Sequence, residues 1–244
     1  MIRAALLLLS LMTAPLMAGQ RADQTVIVLH GLARSSGSME AMAEALRSDG
    51  YSVVNLDYPS TRATVESLSE SHLAPAIAGA ISNGAQQVHF VTHSMGGILV
   101  RHYLATHETP QIGRVVMLGP PNHGSELVDR LHHLWPYQWI NGPAGFQLGT
   151  DASSLPNQLG KTRVVTAVIA GTRSYNPIYS SMIKGDDDGK VSVESTRLEG
   201  MADHLILPVN HSFMMNDDEV IRQTLRFLRA GKFERGVARP ELRR

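Results

Sequence analysis

The sequence has no cysteine. That single absence excludes structural disulfides, a lipid-modified signal cysteine and a thiol nucleophile together. A chain of 244 residues can do without covalent staples, because core burial alone stabilises a domain of this size. An excess of charge is missing too. The 22 Lys and Arg balance the 22 Asp and Glu, and no basic block interrupts the body of the chain, so the electrostatic footprint of a nucleic-acid binder is absent. Internal repeats and low-complexity tracts are lacking as well.

What is present begins with MIRAALLLLSLMTAPLMAGQ, which has Arg3 as a positive start, an apolar stretch from Ala4 to Met12 and small residues near Ala18. This reads as a secretory signal over residues 1–18, cleaved after Ala18, and implies an exported, periplasmic or secreted protein. Leu16 departs from the A-x-A rule and leaves a retained anchor as the alternative, although the apolar core is short for a membrane span. At the other end Arg235, Arg239, Arg243 and Arg244 form a basic tail, read as solvated, with peripheral contact to an anionic membrane as the alternative.

The remaining 19–244 suit one domain. Apolar runs alternate with amphipathic stretches, the pattern of an α/β fold with a mostly parallel sheet and helices on both faces. Strands are expected over Thr25–Leu29, Tyr51–Leu56, Val88–Thr92, Arg114–Leu118, Val164–Ala170 and His204–Val209. Met39, Met42, Ala43 and Leu46 share one face of a helix over Met39–Arg47, with Gly50 as a stop. A second helix is expected over Asp217–Arg229, with Asn216 and Glu219 forming a capping box. The rhythm breaks between Asn122 and Lys161, where Pro136, Gly142, Pro143, Gly145, Gly149 and Pro156 mark an inserted, cap-like region.

The most informative stretch is VHFVTHSMGGILVRHYL, a buried strand followed by Ser94, Met95, Gly96 and Gly97 at the opening of a helix. Taken alone, Ser94 could be an ordinary helix-capping serine. An earlier apolar strand, TVIVLHGL, ends in His30, Gly31 and Leu32. Later come GDDDGKV, after another apolar strand, and PVNHSFMM, after the last.

In this order the segments resemble the α/β-hydrolases, and the bacterial lipases and esterases among them, from Thr25 to Phe233. THSMG resembles the nucleophile elbow of that family, whose pattern is G-x-S-x-G, with Thr92 standing where the first glycine is usual. The resemblance implies Ser94 as nucleophile and the backbone N–H groups of Leu32 and Met95 as the oxyanion hole. In the family the acid precedes the base in the chain, so of the eleven histidines only His204 and His211 lie late enough. His211 follows the end of the last strand, where sites of parallel sheets gather, and is the implied base. Asp188-Gly189-Lys190-Val191 matches the family's D-G-x-V acid turn and implies Asp188, with Asp187 as the alternative. Asp186 reads as a solvated turn residue, and the spaced ligands of a dedicated calcium loop are missing. His93, next to the serine, is expected to point away from it, and His89, His102 and His123 to be structural. GPPNHGSELVD resembles a lipase loop in which His123 and Ser125 support rather than react.

The implied chemistry is two-step acyl transfer without a cofactor. The expected substrate is a small-molecule or lipid ester with a short or medium apolar acyl chain, in preference to charged or peptide substrates. Trp135, Trp139 and Phe146 are expected to line its acyl site. An amidase, thioesterase or acyltransferase using the same residues, or a silent binding protein on the same fold, stand as alternatives.

Overall fold

The computed structural model describes residue 21 and residues 23–235. The expected signal segment 1–18 and the arginines 239, 243 and 244 lie outside the described residues. Among the described residues six strands form: β1 (Gln24–Leu29), β2 (Ser52–Leu56), β3 (Gln87–His93), β4 (Ile112–Leu118), β5 (Thr166–Gly171) and β6 (Asp203–Leu207). They make one fully parallel sheet in the order β2-β1-β3-β4-β5-β6. Each falls on an expected apolar run, with no end moved by more than two residues. β6 stops before Pro208, which has no N–H to continue the ladder.

Alternation along the strands sends side chains to two cores. On one face Val26 and Val28 of β1 and Val91 of β3 meet Met39, Met42 and Leu46 together with Val220, Phe227 and Leu228. Those residues belong to α1 (Glu40–Ser48), its leading turn and α9 (Asp218–Ala230). On the other face Ile27, Leu29 and Phe90 pack against three further helices. These are α2 (Val65–Leu68), α3 (Ala74–Ser82) and α4 (Met95–Thr106). A π turn over Ser69–Leu73 joins α2 to α3 just ahead of Pro75, whose missing N–H a regular α-helix would not accommodate. Burying each such aliphatic or aromatic side chain contributes about 1.5–3 kcal/mol, which is why the apolar pattern alone commits the chain to this layering.

The capping of α9 differs from expectation. Asn216 belongs to a short 3₁₀ turn, Met214–Asn216, and the extended Asp217 caps the helix, accepting from the N–H groups of Glu219 and Val220. Gly231, with φ of 71°, ends it in the left-handed conformation. Between β4 and β5 the chain builds α5 (Glu126–Leu131), α6 (Trp135–Phe146, kinked at Gly142) and α7 (Leu155–Gln158). A short α8 (Pro177–Ser180) follows β5. Among the described residues no helix is long and apolar enough to cross a membrane.

Candidate active site

The strand order reverses direction between β1 and β3, and in parallel sheets the crevice at such a switch point, beyond the carboxyl ends of the strands, is where ligands bind. The loop after β1 carries Leu32 and the turn after β3 carries Ser94, so the two segments singled out in the sequence flank this crevice. Ser94 has φ of 52° and ψ of −124°, and Ala33 has φ of 54°; among the described residues they are the two non-glycine positions with positive φ. Such conformations cost on the order of 1–3 kcal/mol each and persist only where surrounding contacts enforce them. At Ser94 the enforcement is visible: its N–H extends the sheet by bonding Leu118 O at 2.8 Å, and Gly97 N–H returns to Ser94 O at 3.0 Å. Gly96 allows the turn, since a Cβ there would stand 2.8 Å from the His30 carbonyl oxygen. Ser94 remains half-buried, whereas its neighbours Thr92, His93 and Met95 are buried.

Asp188 and His211 come from the loops after β5 and β6. His211 Nδ1–H donates to Asp188 Oδ2 at 2.7 Å, and the His211 backbone N–H donates to the Asp188 carbonyl at 2.9 Å. The second carboxylate oxygen, Asp188 Oδ1, accepts from the N–H groups of Lys190 at 3.0 Å and Val191 at 2.9 Å. Both side chains are buried, so the pair is fixed in orientation and leaves His211 Nε2 for a reacting partner. Asp187, the sequence alternative, points elsewhere: its Oδ1 accepts from Ser180 Oγ and Gly189 N–H. Gly119, directly after β4, lies against the pair with φ of 53°, and a Cβ there would lie 2.9 Å from Asp188 Oδ2 and 3.1 Å from His211 Nδ1.

A cavity of about 440 Å³ opens over Ser94, with His93 and His211 also in its lining. Its apolar wall consists of Leu127, Val128, Leu131, Leu134, Ile140 and Leu148 from the segment between β4 and β5. Trp135, Trp139 and Phe146, expected to line it, do not. Trp135 and Trp139 are four residues apart on the outer side of α6 and are 75% and 83% exposed, while Ile140, though 53% exposed, lines the cavity. Phe146 borders a separate depression with Gln147 and Leu155. Leu32 lines the cavity and Met95 follows Ser94, and among the described residues neither backbone N–H has a protein acceptor.

His93 is the residue that sequence reasoning missed. Strict alternation would turn it away from Ser94, but the positive φ of Ser94 breaks the alternation and the imidazole faces the cavity. Its Nε2–H donates to the His211 backbone carbonyl at 2.9 Å, and its ring lies 4.8 Å from the His211 ring. Burial, with the nearby His211 and Arg34 charges, holds its pKa well below the usual imidazole range, so it stays neutral. His30 is buried, stacks on Tyr58 at 4.1 Å and donates from Nδ1 to Gly31 O, bracing the loop before Leu32. His123 is exposed and bonds Asn157, and Ser125 Oγ donates to the Lys190 carbonyl at 2.7 Å, tying the acid turn to the cavity wall.

A sequence profile of the α/β-hydrolase fold matches residues 24–168, more than half of the chain. The chain belongs to the α/β-hydrolase family. Among solved structures, this α/β-hydrolase is similar to the mature lipase BlEst2 of Bacillus licheniformis at 20% identity and a TM-score of 0.67, covering 85% of this chain and 92% of that one. It is similar to phospholipase PlaB of Legionella pneumophila at 17% identity and a TM-score of 0.70, covering 85% of this chain but only 60% of that one. It also resembles a monoacylglycerol lipase of Paleococcus ferrophilus at 17% identity and a TM-score of 0.54, covering 86% and 96%. At these identities the likeness is one of fold. No curated protein sequence matches the chain.

Proposed function

We propose that this α/β-hydrolase is an exported serine ester hydrolase, of carboxylesterase or lipase type, acting on esters of apolar acyl chains. The observation that carries the reading is the buried 2.7 Å His211–Asp188 bond beside a strained Ser94 in the same cavity. In this mechanism His211 Nε2 takes the Ser94 hydroxyl proton as Oγ attacks the ester carbonyl. The oxyanion is held by the Leu32 and Met95 N–H groups, and His211 returns the proton to the departing alcohol. Water, deprotonated in turn by His211, attacks the acyl-enzyme, releases the carboxylic acid and restores Ser94. Asp188 keeps the imidazole in the tautomer this requires and offsets its charge when protonated. The apolar wall from Leu127 to Leu148 supports acyl-chain binding, worth roughly 0.8 kcal/mol per methylene buried.

A fluorophosphonate probe tests the reading directly. Wild-type protein should be labelled, and Ser94→Ala should lose labelling and hydrolysis of p-nitrophenyl esters together. Asp188→Asn should lower kcat on the order of 10⁴-fold, with Asp187→Asn far milder. Wild-type turnover in Ser94→Ala would sink the mechanism. Export has its own measurement. Expressed in a Gram-negative host, the protein should appear in the periplasmic fraction with Gly19 as its N-terminus, and recovery only as a full-length membrane protein would overturn that part.

A further inference from the structure

The cavity that holds Ser94 also holds two cations the proposed hydrolysis does not use. Arg34 comes from the loop after β1, two residues beyond Leu32, and Lys190 from the acid turn, two residues beyond Asp188. Both positions are firmly set. Lys190 N–H bonds Asp188 Oδ1 and its carbonyl accepts from Ser125 Oγ, while Arg34 follows the strained Ala33, whose N–H is held by Ser60 Oγ at 3.0 Å. Among the described residues neither side chain has a hydrogen-bond or ion-pair partner, and no Asp or Glu lines the cavity. The carboxylates of the adjoining loops are engaged: Asp188 with His211, Asp187 with Ser180 and Gly189, and Asp57, which borders a neighbouring depression with Arg34, with the Ser36 N–H. Removal from water, and then the Arg34 charge, lowers the pKa of Lys190 while Asp188 pulls it the other way, so the two cations sense one another across the site.

Two like charges facing one cavity whose lining has no carboxylate repel each other, and an anion placed between them relieves that repulsion. An acyl chain cannot be that partner, because it belongs against the apolar wall from Leu127 to Leu148. We propose that Arg34 and Lys190 bind an anionic group, a phosphate or a carboxylate, carried on the alcohol side of the scissile ester. The substrate class is then an anionic amphiphile, with a hydrocarbon acyl half and a charged leaving half. The planar Arg34 fork suits two oxygens of one such group, and the Lys190 ammonium supplies a movable point charge. The inference rests on the esterase reading and refines the expected preference for uncharged substrates: the acyl half is apolar, the alcohol half charged.

Three decanoyl esters test it on the mature protein: 1-decanoylglycerol, 1-decanoylglycerol 3-phosphate and O-decanoyl glycolate. At least one anionic ester should show kcat/KM about tenfold above the neutral one, in the range a charge-assisted contact gives. The phosphate and carboxylate arms separate a headgroup phosphate from an acid. In the double variant Arg34→Gln, Lys190→Gln the anionic-to-neutral ratio should fall close to one, and Arg34→Lys should keep most of it. A wild-type ratio at or below one, or a ratio that the double variant leaves unchanged, overturns the proposal. Binding of decyl phosphate to Ser94→Ala protein separates this failure from failure of the esterase reading. Loss of that binding on adding both Gln substitutions supports the cation site even if no ester is turned over, and unaltered binding refutes it even if esters are.

Discussion

At the scale of single residues, Thr92 shows how the turn tolerates a departure from its family. Its side chain is fully buried, and its hydroxyl has no partner among the described residues. Space for it exists because residue 97 is glycine: a Cβ there would stand 3.2 Å from Thr92 Oγ1. The helix thus yields the room that a glycine at 92 would have supplied from the strand. A buried hydroxyl left unpaired is a standing cost, so Thr92→Val, which replaces it with a methyl, should raise stability by about 1 kcal/mol in urea unfolding while ester turnover is retained. Thr92→Gly, though it restores the family residue, should lower stability by emptying the space against Gly97 and loosening the strand. A destabilised Thr92→Val would mean that the hydroxyl is paired in solution.

At the scale of elements, the cavity wall depends on an anchor in α4, the helix that follows Ser94. Arg101 of α4 is buried and reaches the segment between β4 and β5, donating to Asn122 O and Oδ1, Pro156 O and Gly160 O at 2.9–3.2 Å. Burial lowers its pKa to about 10, which still leaves it charged at neutral pH. Gln147 adds a second tie, donating to Glu66 and accepting from Val65 N–H at the start of α2. Arg101→Leu should destabilise the protein by about 2–4 kcal/mol, because it strands several carbonyls that have lost their donor. Limited proteolysis should then cut first within residues 122–161. Equal protection of that segment in variant and wild type would show that Arg101 does not hold it.

At the scale of the molecule, the buried histidines predict acid lability. Burial lowers the pKa values of His30, His93 and His204, and brings that of His89 down to about 4, with Arg114 adding to the effect. In the unfolded chain each would titrate near about 6.5. Below that pH the unfolded state binds more protons, so the stability these groups contribute is complete above about 6.5 and is lost as pH falls. For His89 the loss runs down to about 4 and is on the order of 3 kcal/mol. His89 Nδ1 accepts from Arg114 N–H at 2.8 Å, a bond that protonation would remove. The urea midpoint should therefore drop between pH 7.5 and pH 5. His89→Asn, which keeps an acceptor for Arg114 N–H but cannot take a proton, should flatten that slope.

The sheet, its two apolar cores and the order of the site segments were legible in the sequence, because strand and helix periodicities are local and burial rewards them wherever the chain leads. Ser94, Asp188 and His211 were expected from short motifs that resemble those of the family, and of the three only Ser94 and His211 lie close behind the end of a strand, Asp188 being well beyond β5 and α8. Tertiary structure decided which neighbours share their space. His93 reaches the cavity only because the backbone turns left-handed at Ser94, and Arg34 and Lys190 meet only because the loops after β1 and β5 converge over the switch point. The aromatics of α6 were misplaced because helical spacing identifies residues on a common face but not which face the fold turns inward. That orientation follows from contacts distant in the chain, the Arg101 and Gln147 ties among them, which no local pattern encodes.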